Sequence, residues 1–398
     1  MKNGPDVDAV VLVGGQGARL RPLTLSTPKA MLPTAGVPLL AHLLSRIGQA
    51  GIRHVVLGTS YRAETFTEQF GDGSGFGLEI EYVVEDEPLG TGGAIRNAYD
   101  RLRADTTLIF NGDILSGVNL HDMLRAHRDT RADVTLHLVL VRDPRPFGCV
   151  PTAADGRVQA FLEKTQKKPP SDQINAGCYV FRRSLIESIP TGRPVSVERE
   201  TFPGLLRAGG RIFGHRDGAY WLDLGTPPAF VQGSADLVAG VAPTAALPEA
   251  AVHDAERLVL LGSDVAYDAV LTGGVTVGSG VVVGPGARLH KSVIFDDTVI
   301  GSRARIERSV VGHRRASGRR RCPDRYGAGR RGGRRIGLRA PGCPRVARRR
   351  PAGARNTLRR RRLTADYRRH PPGTSARSAA FIVSTDRRTR SAGVIGLR

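Results

Sequence analysis

Apolar residues along residues 8–240 recur with two alternating periods. Residues 8–13, Asp-Ala-Val-Val-Leu-Val, form an almost unbroken apolar run that ends in glycine, the pattern of a strand buried on both faces. Residues 38–50 place Leu39, Leu40, Leu43, Leu44 and Ile47 on one side of a 3.6-residue turn and stop before Gly51, which predicts an amphipathic helix. The two patterns repeat down the chain. Strands are predicted at 54–58, 78–84, 107–110, 133–141 and 178–181, and helices at 63–70, 91–102 and 227–238. Alternating strands and helices predict an α/β fold, a Rossmann-like, doubly wound mixed sheet with its ligands at the carboxyl ends of the strands.

The period changes after residue 240. Residues 241–256, rich in Ala and Pro, read as a linker. Over residues 257–312, Val277, Val283 and Leu289 recur every six residues, as do Ile294, Ile300 and Ile306, with Gly, Ser and Asp between. A hexapeptide period with small residues between aliphatics predicts a short left-handed parallel β-helix. Each coil of such an array leaves an apolar edge that only another coil or a cap can bury.

The formal charge of +22 belongs to one segment. Residues 313–398 carry 27 Arg and no Lys against 3 Asp, a net +24, whereas residues 1–312 hold 32 Lys and Arg against 34 Asp and Glu, a net −2. One reading of 313–398 is a basic arm for RNA or anionic surfaces. The lack of Lys and the break in mid-repeat favour another, translation in a shifted frame. Arginine codons of the form CGN read one base along as GNC, which encodes Val, Ala, Asp or Gly, the composition of the repeat. On that reading the β-helix is truncated, and the Arg-rich tail is expected to lack fixed structure and evolved function. Cys149, Cys178, Cys322 and Cys343 show no metal spacing, which fits a reducing cytoplasm. No early apolar run is long enough for a signal peptide or a membrane span.

Candidate chemistry gathers where strands end. Gly14, Gly15 and Gly17 follow the first strand, letting the backbone turn and bring N–H groups against phosphate oxygens. Arg19 and Lys29 come next, and two fixed cations beside a glycine loop suit a triphosphate. Gly15-x-Gly17 has Leu20 where a dinucleotide fingerprint has its third glycine, and it lacks the Gly-Lys-Ser/Thr of a P-loop. Taken alone it is equally an ordinary tight turn. The strand at 107–110 ends in Asn111-Gly112-Asp113, and residues 220–226 place Asp223 at another strand end before a glycine turn. Asp113 and Asp223 are candidate Mg²⁺ ligands, because Mg²⁺ favours one or two carboxylates plus phosphate oxygens, although an Asp after glycine also simply forms turns.

The whole stretch, Gly14-Gly15-x-Gly17-x-Arg19-Leu-x-Pro-Leu-Thr and then Pro28-Lys29-x-Met31-Leu32-Pro33, resembles the signature of sugar-nucleotide pyrophosphorylases, nucleotidyltransferases that act on sugar 1-phosphates. The resemblance covers about residues 8–312. Through Pro88-Leu89-Gly90-Thr91-Gly92-Gly93 and Val197-Glu198-Arg199-Glu200-Thr201-Phe202-Pro203 it is closest to bacterial mannose-1-phosphate guanylyltransferases. It implies that Val13, Gly14, Gly15 and Gly17 wrap the nucleotide and that Arg19, Lys29 and Asp113 are catalytic, Arg19 gripping the leaving β,γ-phosphates. It assigns Mg²⁺ to Asp113 and Asp223. Backbone groups of Leu89, Gly90 and Thr91 would meet the base edge, and Glu85 or Glu87 would accept the two donors of guanine, although each alone reads as an acidic loop residue. On the acceptor side Gly148, Glu163, Lys164, Asn175 and Glu198 would place the sugar phosphate, Glu163 on hydroxyls and Lys164 on the phosphate.

The implied activity is transfer of a nucleoside monophosphate from an NTP to a sugar 1-phosphate, with GTP and mannose 1-phosphate as substrates and Mg²⁺ as cofactor. The segment Trp221-Leu-Asp223-Leu-Gly225-Thr226-Pro227 looks equally like thymidylyl- and uridylyltransferases, so glucose 1-phosphate with dTTP or UTP is the alternative within the class. A non-catalytic sugar-nucleotide sensor subunit is the alternative outside it, and loss of Arg19, Lys29 or Asp113 would signal that role. The β-helix implies a homo-oligomer. Neither a membrane nor nucleic acid is an expected partner.

Overall fold

Strand β1 (Asp8–Leu12) has helices on both sides: Ala9 and Val11 belong to the apolar cluster on one face of the sheet and Val10 to the cluster on the other. After it come β2 (Pro33–Thr34), β3 (Val37–Pro38), α1 (Leu39–Gln49), β4 (His54–Thr59), α2 (Ala63–Phe70), β5 (Glu79–Val84), α3 (Gly90–Asn97), β6 (Thr106–Asn111), β7 (Ile114–Ser116), α4 (Leu120–Asp129) and β8 (Val134–Leu140). Then follow β9 (Gln173–Arg182), α5 (Arg183–Glu187), α6 (Phe202–Arg207), β10 (Ile212–Arg216), β11 (Trp221–Asp223) and α7 (Pro227–Val238). The computed structural model describes residues 6–60, 62–162, 164 and 169–312, and the backbone of 313 and 380–384.

Seven strands form the main sheet in the order β10-β8-β9-β6-β1-β4-β5. β9 runs antiparallel to both β6 and β8, so the sheet is mixed, as expected. β1 lies between β4 and β6 and is parallel to both. The chain order reverses at β1, which opens a crevice at the carboxyl ends of β1 and β6, where α/β sheets bind ligands. α1, α2 and α4 cover one face and α3, α5 and α6 the other. The helix predicted at 91–102 ends early, at Asn97, and a tight turn over Tyr99–Arg101 follows. That turn delivers the Arg103 and Ala104 N–H groups to the Asp8 carboxylate, at 2.5 and 2.7 Å.

After α7 comes β12 (Ala250–His253), and then β13 (Arg257–Leu260), β14 (Asp264–Val265), β15 (Val270–Thr272), β16 (Val275–Val277), β17 (Val282–Val283), β18 (Arg288–His290), β19 (Val293–Ile294), β20 (Val299–Ile300), β21 (Arg305–Glu307) and β22 (Ser309–His313), which form a β-helix. Its strands stack in parallel on three sides. Val259 stacks on Val277, Ile294 and Val311; Val265 on Val283 and Ile300; Leu271 on Leu289 and Ile306. The hexapeptide period is therefore one aliphatic per side of a β-helix, and these residues fill its core.

Two features depart from the sequence reading. Within the segment read as linker, β12 pairs antiparallel with β13 and covers the first edge of the β-helix. Within the Arg-rich tail, β23 (Ala380–Ser384), Ala-Phe-Ile-Val-Ser, pairs antiparallel with β22 and occupies the last edge. An unpaired edge is a row of free N–H and C=O groups, and a short apolar segment within reach satisfies it despite its arginine-rich surroundings. The rest of the tail lies outside the described residues. Cys149 and Cys178 are buried free thiols. Among the described residues no helix is long and apolar enough to cross a membrane.

Candidate active site

The ends of β1, β4 and β6 are tied together where the glycine loop begins. Val13 N–H donates to Gly58 O at 2.9 Å and Gly112 N–H to Leu12 O at 3.0 Å. Gly17 then takes the left-handed conformation, φ 59° and ψ 34°, and a Cβ there would press on Thr24 Cγ2 at 2.9 Å. Two hydroxyls fasten the loop: Ser60 Oγ donates to Gly14 O (2.7 Å) and Thr24 Oγ1 to Gly17 O (2.8 Å).

Four charged residues predicted from distant parts of the chain converge here. β7 and β11 pair as an antiparallel ribbon with Asp223 opposite Ile114, and Leu224 N–H donates to Asp113 O at 3.2 Å. This brings two carboxylates 110 positions apart in the chain to one place. Buried Lys29 lies between them, its Nζ 2.6 Å from Asp113 Oδ2 and 3.6 Å from Asp223 Oδ1. Arg19 Nη2 lies 3.7 Å from Asp223 Oδ2, with its side chain 67% exposed. Asp223 Oδ1 is held by the Gly225 N–H at 2.8 Å. A Cβ on Gly225 would stand against the Arg19 guanidinium.

Of the two base-side candidates, one lies beside the glycine loop. Glu85 is half-buried and borders the glycine loop, its Oε1 3.6 Å from where a Cβ on Gly14 would sit, while Glu87 is exposed. Glu85 Oε2 accepts the Leu89 N–H at 3.1 Å. Burial raises the Glu85 carboxyl above its ordinary range, and the Leu89 N–H offsets part of that. Leu89 and Gly90 lead into α3, whose start is clamped by Val195: Val195 N–H donates to Leu89 O (2.8 Å) and Gly92 N–H to Val195 O (2.7 Å).

Thr91, expected on the nucleotide side, and Glu198, expected on the sugar side, are bonded directly. Thr91 Oγ1 donates to Glu198 Oε2 at 2.9 Å, and so does Ser196 Oγ. Tyr179 continues this network. It is 1% exposed, it accepts from Asn175 Nδ2 at 2.8 Å, and the Glu198 carboxylate acts on its hydroxyl electrostatically. Burial, and then that carboxylate, push the phenol well above its ordinary range, so it stays a neutral donor. Tyr179 was not singled out from the sequence. Its one signal was a hydroxyl in an otherwise apolar strand. Gly148, at φ +80°, precedes Cys149, which pairs with Leu162 through two bonds of 2.9 Å. Lys164 is exposed just beyond, and Glu163 lies outside the described residues. Trp221 anchors the ribbon to this side by donating Nε1–H to Ala176 O at 2.9 Å.

The fold is one this chain shares with known proteins. A family model of nucleotidyl transferases matches residues 8–240, and one of the GMPPB C-terminal domain matches residues 256–321. A mannose-1-phosphate guanylyltransferase of Mycobacterium tuberculosis is 60% identical over 303 residues, 76% of this chain and 83% of that protein. A mannose-1-phosphate guanylyltransferase catalytic subunit beta of Drosophila pseudoobscura pseudoobscura is 35% identical over 233 residues, covering 58% of this chain and 62% of that one. Among solved structures, HddC from Yersinia pseudotuberculosis complexed with GMP-PN superposes with a TM-score of 0.51 at 27% identity, over 58% of this chain and 99% of that one.

Proposed function

We propose that this chain, which belongs to the nucleotidyl transferase family, transfers GMP from GTP to mannose 1-phosphate and releases pyrophosphate. The observation that carries the reaction class is Lys29 between Asp113 and Asp223 with Arg19 beside them. The sugar and base follow the 60% identical relative, and half-buried Glu85 at the glycine loop supports guanine, which presents two donors where uracil and thymine present one.

An oxygen of the sugar phosphate attacks the α-phosphorus in line. The new P–O bond forms as the bond to the β-phosphate oxygen breaks, and the electron pair leaves with pyrophosphate. Arg19 binds the departing phosphates and Lys29 offsets charge at the α-phosphoryl group, fixed donors that need no reorganisation during the reaction. Glu198, held by Thr91 and Ser196, orients a sugar hydroxyl, and Lys164 binds the acceptor phosphate. The donor set fits Mg²⁺. Two carboxylates converge and, among the described residues, no group of three or more His, Cys, Asp or Glu side chains does so, which leaves phosphate oxygens to complete the shell. Asp113 and Asp223 would hold the ion, which when bound supplies charge neutralisation across the reacting and leaving phosphates.

The test is pyrophosphate release with Mg²⁺ from GTP, dTTP, UTP and ATP, each with mannose 1-phosphate and glucose 1-phosphate. Release with GTP and mannose 1-phosphate alone is expected. Release with another pair keeps the reaction and overturns the substrate, and nucleotide binding without any release turns the reading into a sensor subunit.

A further inference from the structure

The β-helix forms part of the support beneath the catalytic charges. Leu20 and Leu23, beside Arg19, and Leu32, beyond Lys29, are at most 3% exposed and share one apolar cluster with Phe230 and Val231 of α7 and with Val293 and Val310 of the β-helix. Val293 and Val310 stack on successive coils, in β19 and β22. A polar rivet joins the same elements. The Ala35 N–H donates to Ser234 Oγ at 3.0 Å, and that oxygen lies 3.1 Å from Thr276 Oγ1 of β16; all three residues are buried. Gly274 sits against α7 so closely that a Cβ would stand 2.6 Å from Ala235 O and 2.7 Å from its Cα. Leu258 and Leu260 of β13 pack in another cluster with Leu115 of β7 and Leu224, the neighbour of Asp223.

On the functional reading, the loop that rests on this support takes a second arrangement when phosphate binds. As it stands, Lys29 is 2.6 Å from Asp113, and Arg19 is 3.7 Å from Asp223. Phosphate at the site draws both cations off those carboxylates. Both arrangements are seated on the same leucines, so a difference in fit between them reaches the cluster that those leucines share with Phe230, Val231, Val293 and Val310.

We propose that the β-helix is a positioning element of the active site: Val293 and Val310 seat the loop that carries Arg19 and Lys29, so that phosphate binding and order in those coils are linked. The proposal rests on the functional reading only in requiring Arg19 and Lys29 to bind phosphate. Linkage is reciprocal, so phosphate must tighten the coils as much as the coils tighten phosphate binding.

Amide hydrogen exchange on the full chain tests one direction, with Mg²⁺-pyrophosphate as the probe because it needs no particular base or sugar. Exchange is expected to slow several-fold in β19 and β22 and to stay unchanged in β17 and β20. The other direction uses Val310→Ala, with Ile300→Val as control, since Ile300 belongs to the β-helix's own core and to neither shared cluster. Val310→Ala is expected to weaken pyrophosphate binding about fivefold and to leave mannose 1-phosphate binding unchanged, while Ile300→Val changes neither. Uniform slowing over all coils, no slowing, equal effects of the two variants, or no pyrophosphate binding at all overturns the proposal. A wild type that shows selective protection but releases pyrophosphate from no NTP overturns the functional reading alone.

Discussion

The two ends of the main sheet carry the same chemistry to opposite purposes. At the amino ends of β1, β4 and β5, Asp8 and His54 are 3% and 6% exposed. Asp8 accepts from His54 Nδ1 at 2.8 Å and from two backbone N–H groups, and His54 Nε2 lies 3.0 Å from Glu81 Oε1. Arg103 closes the cluster on Glu79 and Glu81, at 2.6 and 2.7 Å. At the carboxyl ends, Asp113 is 41% exposed at its side chain and Arg19 67%. β5 shows the contrast along a single strand: Glu79 and Glu81 at its start are bound by arginine, whereas Glu85, just past its end, keeps one oxygen on Leu89 and turns the other toward the glycine loop. Asp8 and His54, dry and fully partnered, bind strands together at one end. Charges that are partly wet and paired with each other can exchange those partners for a ligand.

Breaking each end separates activity from stability. Lys29→Met should lower kcat/KM for pyrophosphate release by about a thousandfold, the scale of losing a preorganised donor at developing charge, while circular dichroism shows the fold retained. Asp8→Asn should do the reverse. It leaves the Arg103 and Ala104 N–H groups facing an amide, which costs about 3 kcal/mol in urea unfolding, with kcat near wild type. If Asp8→Asn instead abolishes turnover in folded protein, the two ends are not independent.

Two finer measurements sharpen the contrast. Glu85→Gln should cut the preference for GTP over UTP by about tenfold, the value of one hydrogen bond to a charged group, read as the ratio of kcat/KM for the two nucleotides. An unchanged ratio would return Glu85 to the scaffold. The smallest effect is in pH. Hydrogen bonding to Asp8 holds His54 above its ordinary 6.5, so its contribution is complete below pH 6.5 and is lost as pH rises through the folded value. Burial lowers the values of His42, His127, His137 and His215, so those groups act below pH 6.5, and among the described histidines His54 alone is raised into the window above it. Stability in urea should fall from pH 6.5 toward 8, and His54→Gln should flatten that fall.

Much of this molecule was readable along the chain because the forces involved act locally. A strand's apolar run, a helix's 3.6-residue spacing and the hexapeptide period each record burial of adjacent residues, so β1, α1 and the stacked valines and isoleucines of the β-helix could be placed before any contact was known. The glycine loop was legible for the same reason, since a tight turn and a close backbone approach exclude other residues at Gly17.

What remained hidden were relations between residues far apart in sequence. Asp8 read as the polar start of a strand, and only the turn after α3 made it a three-donor clamp. Tyr179 read as core until Asn175 bonded its hydroxyl and the Glu198 carboxylate acted on it. Nothing along the chain says that Leu20 and Val310 belong to one apolar cluster. The sequence alone determined the central strands, the main helices, the repeating coils and which residues carry the charge. Sheet order, the β7–β11 ribbon and the seat of the β-helix on α7 decided which charges face each other, because the apolar period that marks an element is written in neighbouring residues whereas these charge pairs form only where distant segments dock.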